Sequence, residues 1–486
     1  MPITTYDVLL VHTTAVVITL VIVLVHLRKR DLWQWTSAGF WAWCGLMLFL
    51  ALPPALSLLQ NDVSQYDIVL QLADGPLRAL WITCVTVVGI VSYFWVYLNT
   101  QVPRPPGGLL ARGLKPTFTT PQRVVLLLVI GIGLWSLVQF RSGFFQNDSV
   151  IVNGRTVGGA NGYQYTAHLF LFVPVALFLL SRSSRFRLLG YALALIYIGV
   201  GSLDPWARWL QVCMLLLISL AGVLRGEKRW PNPLPVAGAV MVGLVLALRG
   251  HTTFSSPQDI FLLLSQIPTQ LSTVFTGGNT NFLSTWYLQS YVDDKLVGFN
   301  YGLVLLNYLL TGFLPGQIFH EKYFLIDWLH SQQPALSNVV ILDRLHGNKS
   351  SFIGTFYSEG GVFAVALMSG VWGYLSRKMD GLVLPESPVL LKSLGIIWIS
   401  MLWMVWGSGD YWALDQYYTV ALPTIALWLV AEKSGRTAMV KRMRTKRSQQ
   451  LLSAPDLQRV AATRTPCLPE GNDRGNGAVG SEGVGG

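Results

Sequence analysis

The stretch TYDVLLVHTTAVVITLVIVLVHLRKR, from Thr5 to Arg30, decides the fold. Residues 5–27 are apolar, and about 20 such residues suffice for a helix to cross a bilayer. The run stops at Arg28-Lys29-Arg30, and a basic cluster at the end of an apolar run marks its cytoplasmic side. No basic segment precedes the run and no small-residue cleavage site follows it, so it reads as a retained span rather than a signal peptide. Ten further apolar runs of similar kind lie near 35–56, 78–99, 123–140, 164–181, 188–203, 208–224, 233–248, 352–376, 388–406 and 412–431.

The whole composition agrees. Of 486 residues, 52% are apolar and 12% charged, the latter about half of the roughly 25% usual in soluble domains. A soluble globule could not cover that much apolar surface. Disordered, collagen-like, coiled-coil and disulfide-rich classes are excluded by the same figures. The four cysteines, Cys44, Cys84, Cys213 and Cys467, show no CxxC spacing and suggest neither a disulfide framework nor a zinc site.

The fold expected is an all-α polytopic membrane protein with eleven spans. Residues 1–431 form the membrane domain, with one long outer loop at 250–351, and 432–486 a basic tail rich in Gly and Ser that reads as disordered. Semi-apolar stretches at 260–275 and 300–314 read as short helices within that loop; if both crossed, the count would be thirteen. With eleven spans, the clusters around Arg28, Arg104, Arg182, Arg225, Arg377 and Lys441 all fall on one side. That side carries 26 of the 35 Lys and Arg and nine of the 24 Asp and Glu. Taken as cytoplasm, it leaves the N-terminus outside and the tail inside. The net charge of +11 is then a topology signal with a lipid-facing tail, not a nucleic-acid footprint.

Nine cations run against that bias: Arg78, Arg141, Arg155, Arg208, Arg249, Lys295, Lys322, Arg344 and Lys349. Arginine grips phosphate in a two-pronged way and keeps its charge. An arginine-lined outer chamber therefore suits a lipid diphosphate; the plainer reading is that each snorkels or pairs with an acid. Arg208 follows Asp204 by four residues, a spacing for an ion-paired clamp or for a phosphate ligand. Arg249-Gly-His251 ends another span at the outer boundary. The densest set is Asp343-Arg344-Leu345-His346-Gly347-Asn348-Lys349, running into a span that opens with Gly354, Tyr357, Glu359 and Gly360-Gly361. An ionisable residue inside a span, such as Glu359, is costly and marks a functional site by default, and paired glycines admit a close neighbour. Asp410 and Asp415 stand beside the last outer turn, as pairing partners of the arginines, as a base, or, for Asp410, as a helix cap. Trp286, Tyr287 and Tyr291 read as an interfacial belt or as sugar-stacking rings. No Walker A, HExxH or GxSxG motif is present. No fixed-period repeat or inverted pair of broken helices stands out either.

Two segments carry a resemblance. Phe299-Asn300-Tyr301-Gly302, then Leu314-Pro315-Gly316-Gln317 and Lys322, together with Ser351 to Gly373, resemble the Wzy-type oligosaccharide repeat unit polymerases of O-antigen and exopolysaccharide synthesis. Gly201-Ser202 to Arg208 is similar to that family's Ser-Arg span start. Gln317 stands where the pattern has arginine, and no proline follows Lys322. The resemblance implies a GT-C-like glycosyltransferase of the bacterial inner membrane. It would join undecaprenyl-diphosphate-linked oligosaccharide units on the periplasmic face, with no metal or other cofactor, alongside a flippase and a chain-length regulator. It implies catalytic roles for Arg208, Arg249, Arg344, His346 and Glu359, and substrate contacts from Arg155, His251, Lys322, Lys349 and Tyr357. Cations would stabilise the leaving diphosphate, and His346 or Glu359 would take the acceptor proton. The rival readings are an O-antigen ligase or another lipid-linked glycosyltransferase, a secondary transporter or lipid flippase, and a partner without activity.

Overall fold

The computed structural model describes residues 4–61, 63, 75–102, 120–141, 150–152, 155–157, 167–201, 208–227, 230–235, 285–286, 288–289, 292, 298–311, 324–325, 328, 351–384, 387–407, 420–427 and 429–430. The tail from 432 onward, and most of 236–350, lie outside them.

Helix α1 spans Thr5–Lys29 and opens with a capping box. The Asp7 N–H donates to Thr4 Oγ1 at 3.2 Å, and the Thr4 N–H donates to Asp7 Oδ2 at 2.9 Å. Helix α2, Ala38–Gln60, contains a π-turn at Met47–Ala51 just before Pro53-Pro54. Prolines lack a donor N–H and crowd the carbonyl four residues back, and the wide turn relieves both conflicts. Helices α3 (Gly75–Asn99) and α4 (Thr120–Arg141) follow. Strands β1 (Val150–Val152) and β2 (Arg155–Val157) then pair antiparallel, Val152 opposite Arg155. This short ribbon is the one strand pairing among the described residues and leaves the fold all-helical in class. A 3-10 turn, Ala167–Leu171, leads into α5, Phe172–Leu179. After it come α6 (Ser184–Gly201), α7 (Arg208–Leu224), α8 (Leu303–Thr311), α9 (Phe352–Leu382) and α10 (Val389–Gly407).

Six helices among the described residues are long and apolar enough to cross a membrane: α1, α2, α3, α4, α9 and α10. The chain is a multi-pass, membrane-embedded helical protein on this ground. The expected spans at 164–181 and 208–224 are shorter helices, Ala167–Leu179 and Leu210–Leu224. Every residue of α5 is buried, so its uniform apolarity serves the core and not lipid. The expected span at 233–248 lies outside the described residues apart from 233–235, and that at 412–431 is helical over 420–427. Helix α8 has nine residues among those described, about 14 Å, less than the length of a span.

Contacts fix the directions. Along α3 and α9 the pairs are Trp81 with Tyr357, Gly89 with Val365, Tyr93 with Gly373 and Tyr97 with Asp380, so the two run parallel. His12 meets Thr83, and Arg30 donates to the Leu98 carbonyl, so α1 runs with them. Helix α10 runs opposite: Phe352 packs on Trp406, and Gly395 meets Val383. The α2 start, Ala38, lies against Asp380 near the α9 end. Arg187 and Arg225 both pair with Glu227, which puts the α6 start and the α7 end together. Trp230 then reaches Trp35, which follows the α1 cluster. The described basic clusters thus gather at one end of the bundle, as the charge reading requires.

Small residues let the backbones close in, as is usual where helices pack in lipid. A Cβ on Gly373 would fall 2.2 Å from the Tyr93 carbonyl oxygen, and one on Gly45 would fall 2.6 Å from that of Trp403. At the basic end, Asp380 accepts from the Ala38 N–H at 2.7 Å, the Tyr97 hydroxyl at 2.5 Å and Arg377 at 3.3 Å. A buried carboxylate survives there because its oxygens are paired and one of them caps α2. On the outside, α1 exposes Leu10, Val11, Ile18, Val21, Ile22 and Val25, a surface suited to lipid tails.

Candidate functional site

The long helix α9 is broken. Gly360 (φ 176°, ψ 37°) and Gly361 (φ 66°, ψ −153°) leave the helical region, and the second geometry is open essentially to glycine alone. The break frees carbonyls of the preceding turn, and a distant segment takes them. The Asn300 N–H donates to the Ser358 carbonyl at 2.8 Å, and the Gly302 N–H to that of Glu359 at 3.2 Å. Tyr301 (φ 52°) and Gly302 (φ 75°) turn this segment over and launch α8. Phe299 lies where a side chain on Gly361 would contact its ring at 3.5 Å.

Glu359 stands at the centre of this junction, only 3% exposed. Asn300 Nδ2 donates to its Oε1 at 3.4 Å and to Ser358 Oγ at 3.4 Å. The backbone N–H groups of Leu305 and Gly302, at the start of α8, are turned toward the carboxylate, an end that favours negative charge. Oε2 has no hydrogen-bond partner, and no described residue forms an ion pair with this side chain. A buried lone pair left open in this way needs an explanation.

A polar wall surrounds the same half of the bundle. Tyr357 is buried, and its hydroxyl accepts from Trp81 Nε1 at 2.8 Å. The Ser351 N–H donates to Thr285 Oγ1 at 2.8 Å, which itself donates to Ser351 Oγ at 2.6 Å. His12 Nδ1 lies 2.9 Å from Thr83 Oγ1, and its ring meets Trp286 edge-on at 5.2 Å. Trp286 is 1% exposed, so it is a core residue and neither a belt residue nor a free stacking platform. Gln289, one turn further on, is fully buried with both amide atoms unpartnered.

Of the residues expected to act, Glu359 and Tyr357 are brought together in the first part of α9. Arg208 is the first residue of α7, and Arg155 lies in β2 opposite Val152. Arg249, His251, Lys322, Arg344, His346, Lys349, Asp410 and Asp415 lie outside the described residues. No three His, Cys, Asp or Glu side chains cluster among the described residues. Sequence reasoning missed Asn300 as the partner of Glu359, and it missed His12 and Asp380. His12 was open to the same rule that picked out Glu359, an ionisable group inside an apolar run. Asp380 carried a signal too, as an acid beside Arg377-Lys378 on the basic side.

No protein-family model, no curated protein and no solved structure matches the chain.

Proposed function

We propose that the protein polymerises lipid-diphosphate-linked oligosaccharide units on the outer face of the bacterial inner membrane. It would carry eleven spans in a GT-C-like arrangement, with the N-terminus periplasmic and the C-terminus cytoplasmic. The observation that supports this reading is the junction itself. Two pieces of the sequence that carries the resemblance, Phe299-Asn300-Tyr301-Gly302 and Ser351 to Gly373, are nearly fifty residues apart in sequence. They are nevertheless hydrogen-bonded to each other around one buried carboxylate.

Depth supports it as well. From Gly361 to Arg377 is sixteen residues of helix, about 24 Å, against a hydrocarbon core of about 30 Å. With Arg377 at the inner boundary, Glu359 stands near the outer one, where the phosphates of a polyprenyl diphosphate lie. The outer cations, among them Arg208, Arg249, Arg344 and Lys349, would stabilise charge on the departing diphosphate. Arg155, His251, Lys322 and Tyr357 would hold the sugar or phosphate, and His346 or Glu359 would receive the acceptor proton. A flippase that supplies units and a chain-length regulator are the partners expected.

The test is Arg344→Ala in the native host, with the surface polysaccharide run on a gel. Collapse of the ladder to single repeat units at unchanged protein level is expected. An intact ladder overturns the outer-arginine site. Single units missing from the surface altogether would point to a ligase. A transporter is the second reading, because broken helices are typical of transporter sites. It requires uptake or flipping of substrate by the purified chain in vesicles.

A further inference from the structure

We infer that Glu359 Oε2 is the atom that receives a sugar hydroxyl, and that Asn300 is the residue that positions it. The inference rests on the polymerase reading and goes on to name the base, its atom and its support.

The two carboxylate oxygens are not equivalent. Oε1 is held by Asn300 Nδ2, whose backbone N–H also holds the Ser358 carbonyl. One residue thus fixes both the helix break and the rotation of the carboxylate. Oε2 is left open although the residue is only 3% exposed. A group that completes Oε2 is a donor, and a neutral hydroxyl is one that meets this need without bringing a further charge into the site. Hydroxyls are what an oligosaccharide acceptor presents.

The step balances. The acceptor hydroxyl gives its proton to Oε2. Its oxygen forms a new bond to the anomeric carbon of the donor sugar. The anomeric carbon–oxygen bond to the diphosphate breaks, and the polyprenyl diphosphate leaves with that electron pair.

The test uses the full chain in nanodiscs with lipid-linked repeat units as probe. Glu359→Gln is expected to slow turnover at least a hundredfold, within the range that a general base supplies. Asn300→Ala keeps the backbone bonds and is expected to lower kcat about tenfold with KM within twofold. In the Glu359→Gln background, Asn300→Ala should add no further loss, because it acts through the carboxylate. A second readout does not depend on turnover: carbodiimide modification of Glu359, followed by peptide mass spectrometry, should be slowed by saturating lipid-linked units. A full loss from Asn300→Ala in both backgrounds, or Glu359 labelled at the same rate with substrate bound, overturns this assignment and leaves the polymerase reading standing. A wild-type chain that neither binds nor joins the lipid-linked units overturns the polymerase reading, and this one with it.

Discussion

Replacing Gly373 with alanine tests how closely α3 and α9 are packed. A Cβ there would sit 2.2 Å from the Tyr93 carbonyl oxygen, whereas real Cβ atoms keep at least 3.0 Å. The helices must part by roughly 0.8 Å at that level. The two helices are close along the same seam, since a Cβ added at Gly89 would lie 3.1 Å from Val365 and one added at Gly370 would lie 3.3 Å from Val96. Overpacking of this kind costs about 1–3 kcal/mol. Helix propensity works the other way, by about 1 kcal/mol for glycine to alanine. An approach as short as 2.2 Å takes the upper part of the overpacking range, about 2–3 kcal/mol, so the net expected loss is about 1–2 kcal/mol. Gly131→Ala is the control, because nothing lies within 4 Å of its Cβ position, and propensity alone should then leave it neutral or slightly stabilised. Thermal unfolding in detergent, read as the monomer peak remaining after heating, measures both. A Gly373→Ala protein as stable as the native one would refute the reasoning, as would equal losses from the two variants.

Asp380→Ala should destabilise by about 3–5 kcal/mol, because it strands Arg377, Tyr97 and the Ala38 N–H beside one another; Asp380→Asn should be milder, and accumulation in membranes separates them. Gly361→Ala forces a side chain into a glycine-only geometry at about 1–3 kcal/mol, while Gly360→Ala, in extended φ and 3.4 Å from Ala364, should be better tolerated; thermal unfolding again decides. Cysteines placed at Ser183 and Gly226, in a chain cleared of its native thiols, should react with an impermeant maleimide only from the cytoplasmic side, and one at Gln60 only from the other. Reaction of Ser183 and Gly226 positions from opposite sides would break the charge-based topology.

The bundle was legible from the sequence because lipid imposes a coarse rule. An apolar run ending in arginines, as at Val25 to Arg30, has one dominant reading, and the described clusters do meet at one end. Span number was less legible. Residues 172–179 are as apolar as any span, yet they are buried all round, and apolarity does not distinguish lipid from core. Within the site, Glu359 and the glycine pair announced themselves by standing inside an apolar run. Asn300 did not, since a polar residue in a polar loop looks like any other until Gly360 and Gly361 open the helix and leave two carbonyls for it to meet. Trp286 misled for a related reason: aromatic residues near an outer boundary look interfacial, and only the edge-on contact with His12 reveals a buried one.

The wide turn in the second helix acts as a phase adjuster. Gly45, against the Trp403 carbonyl, and Ser57 are both buried. Twelve residues of regular helix would set them about 120° apart, at roughly 100° per residue. The extra residue held in Met47–Ala51 takes back one such step and brings them to within about 20°. Deleting a single residue from this turn would shorten the helix by little. It would nevertheless swing everything from Leu52 to Gln60 round by more than a quarter turn, presenting Ser57 to a different neighbour and breaking the alignment of the two halves. The length of this helix is thus less constrained than its angular count, and an indel there should be tolerated only when it preserves the face.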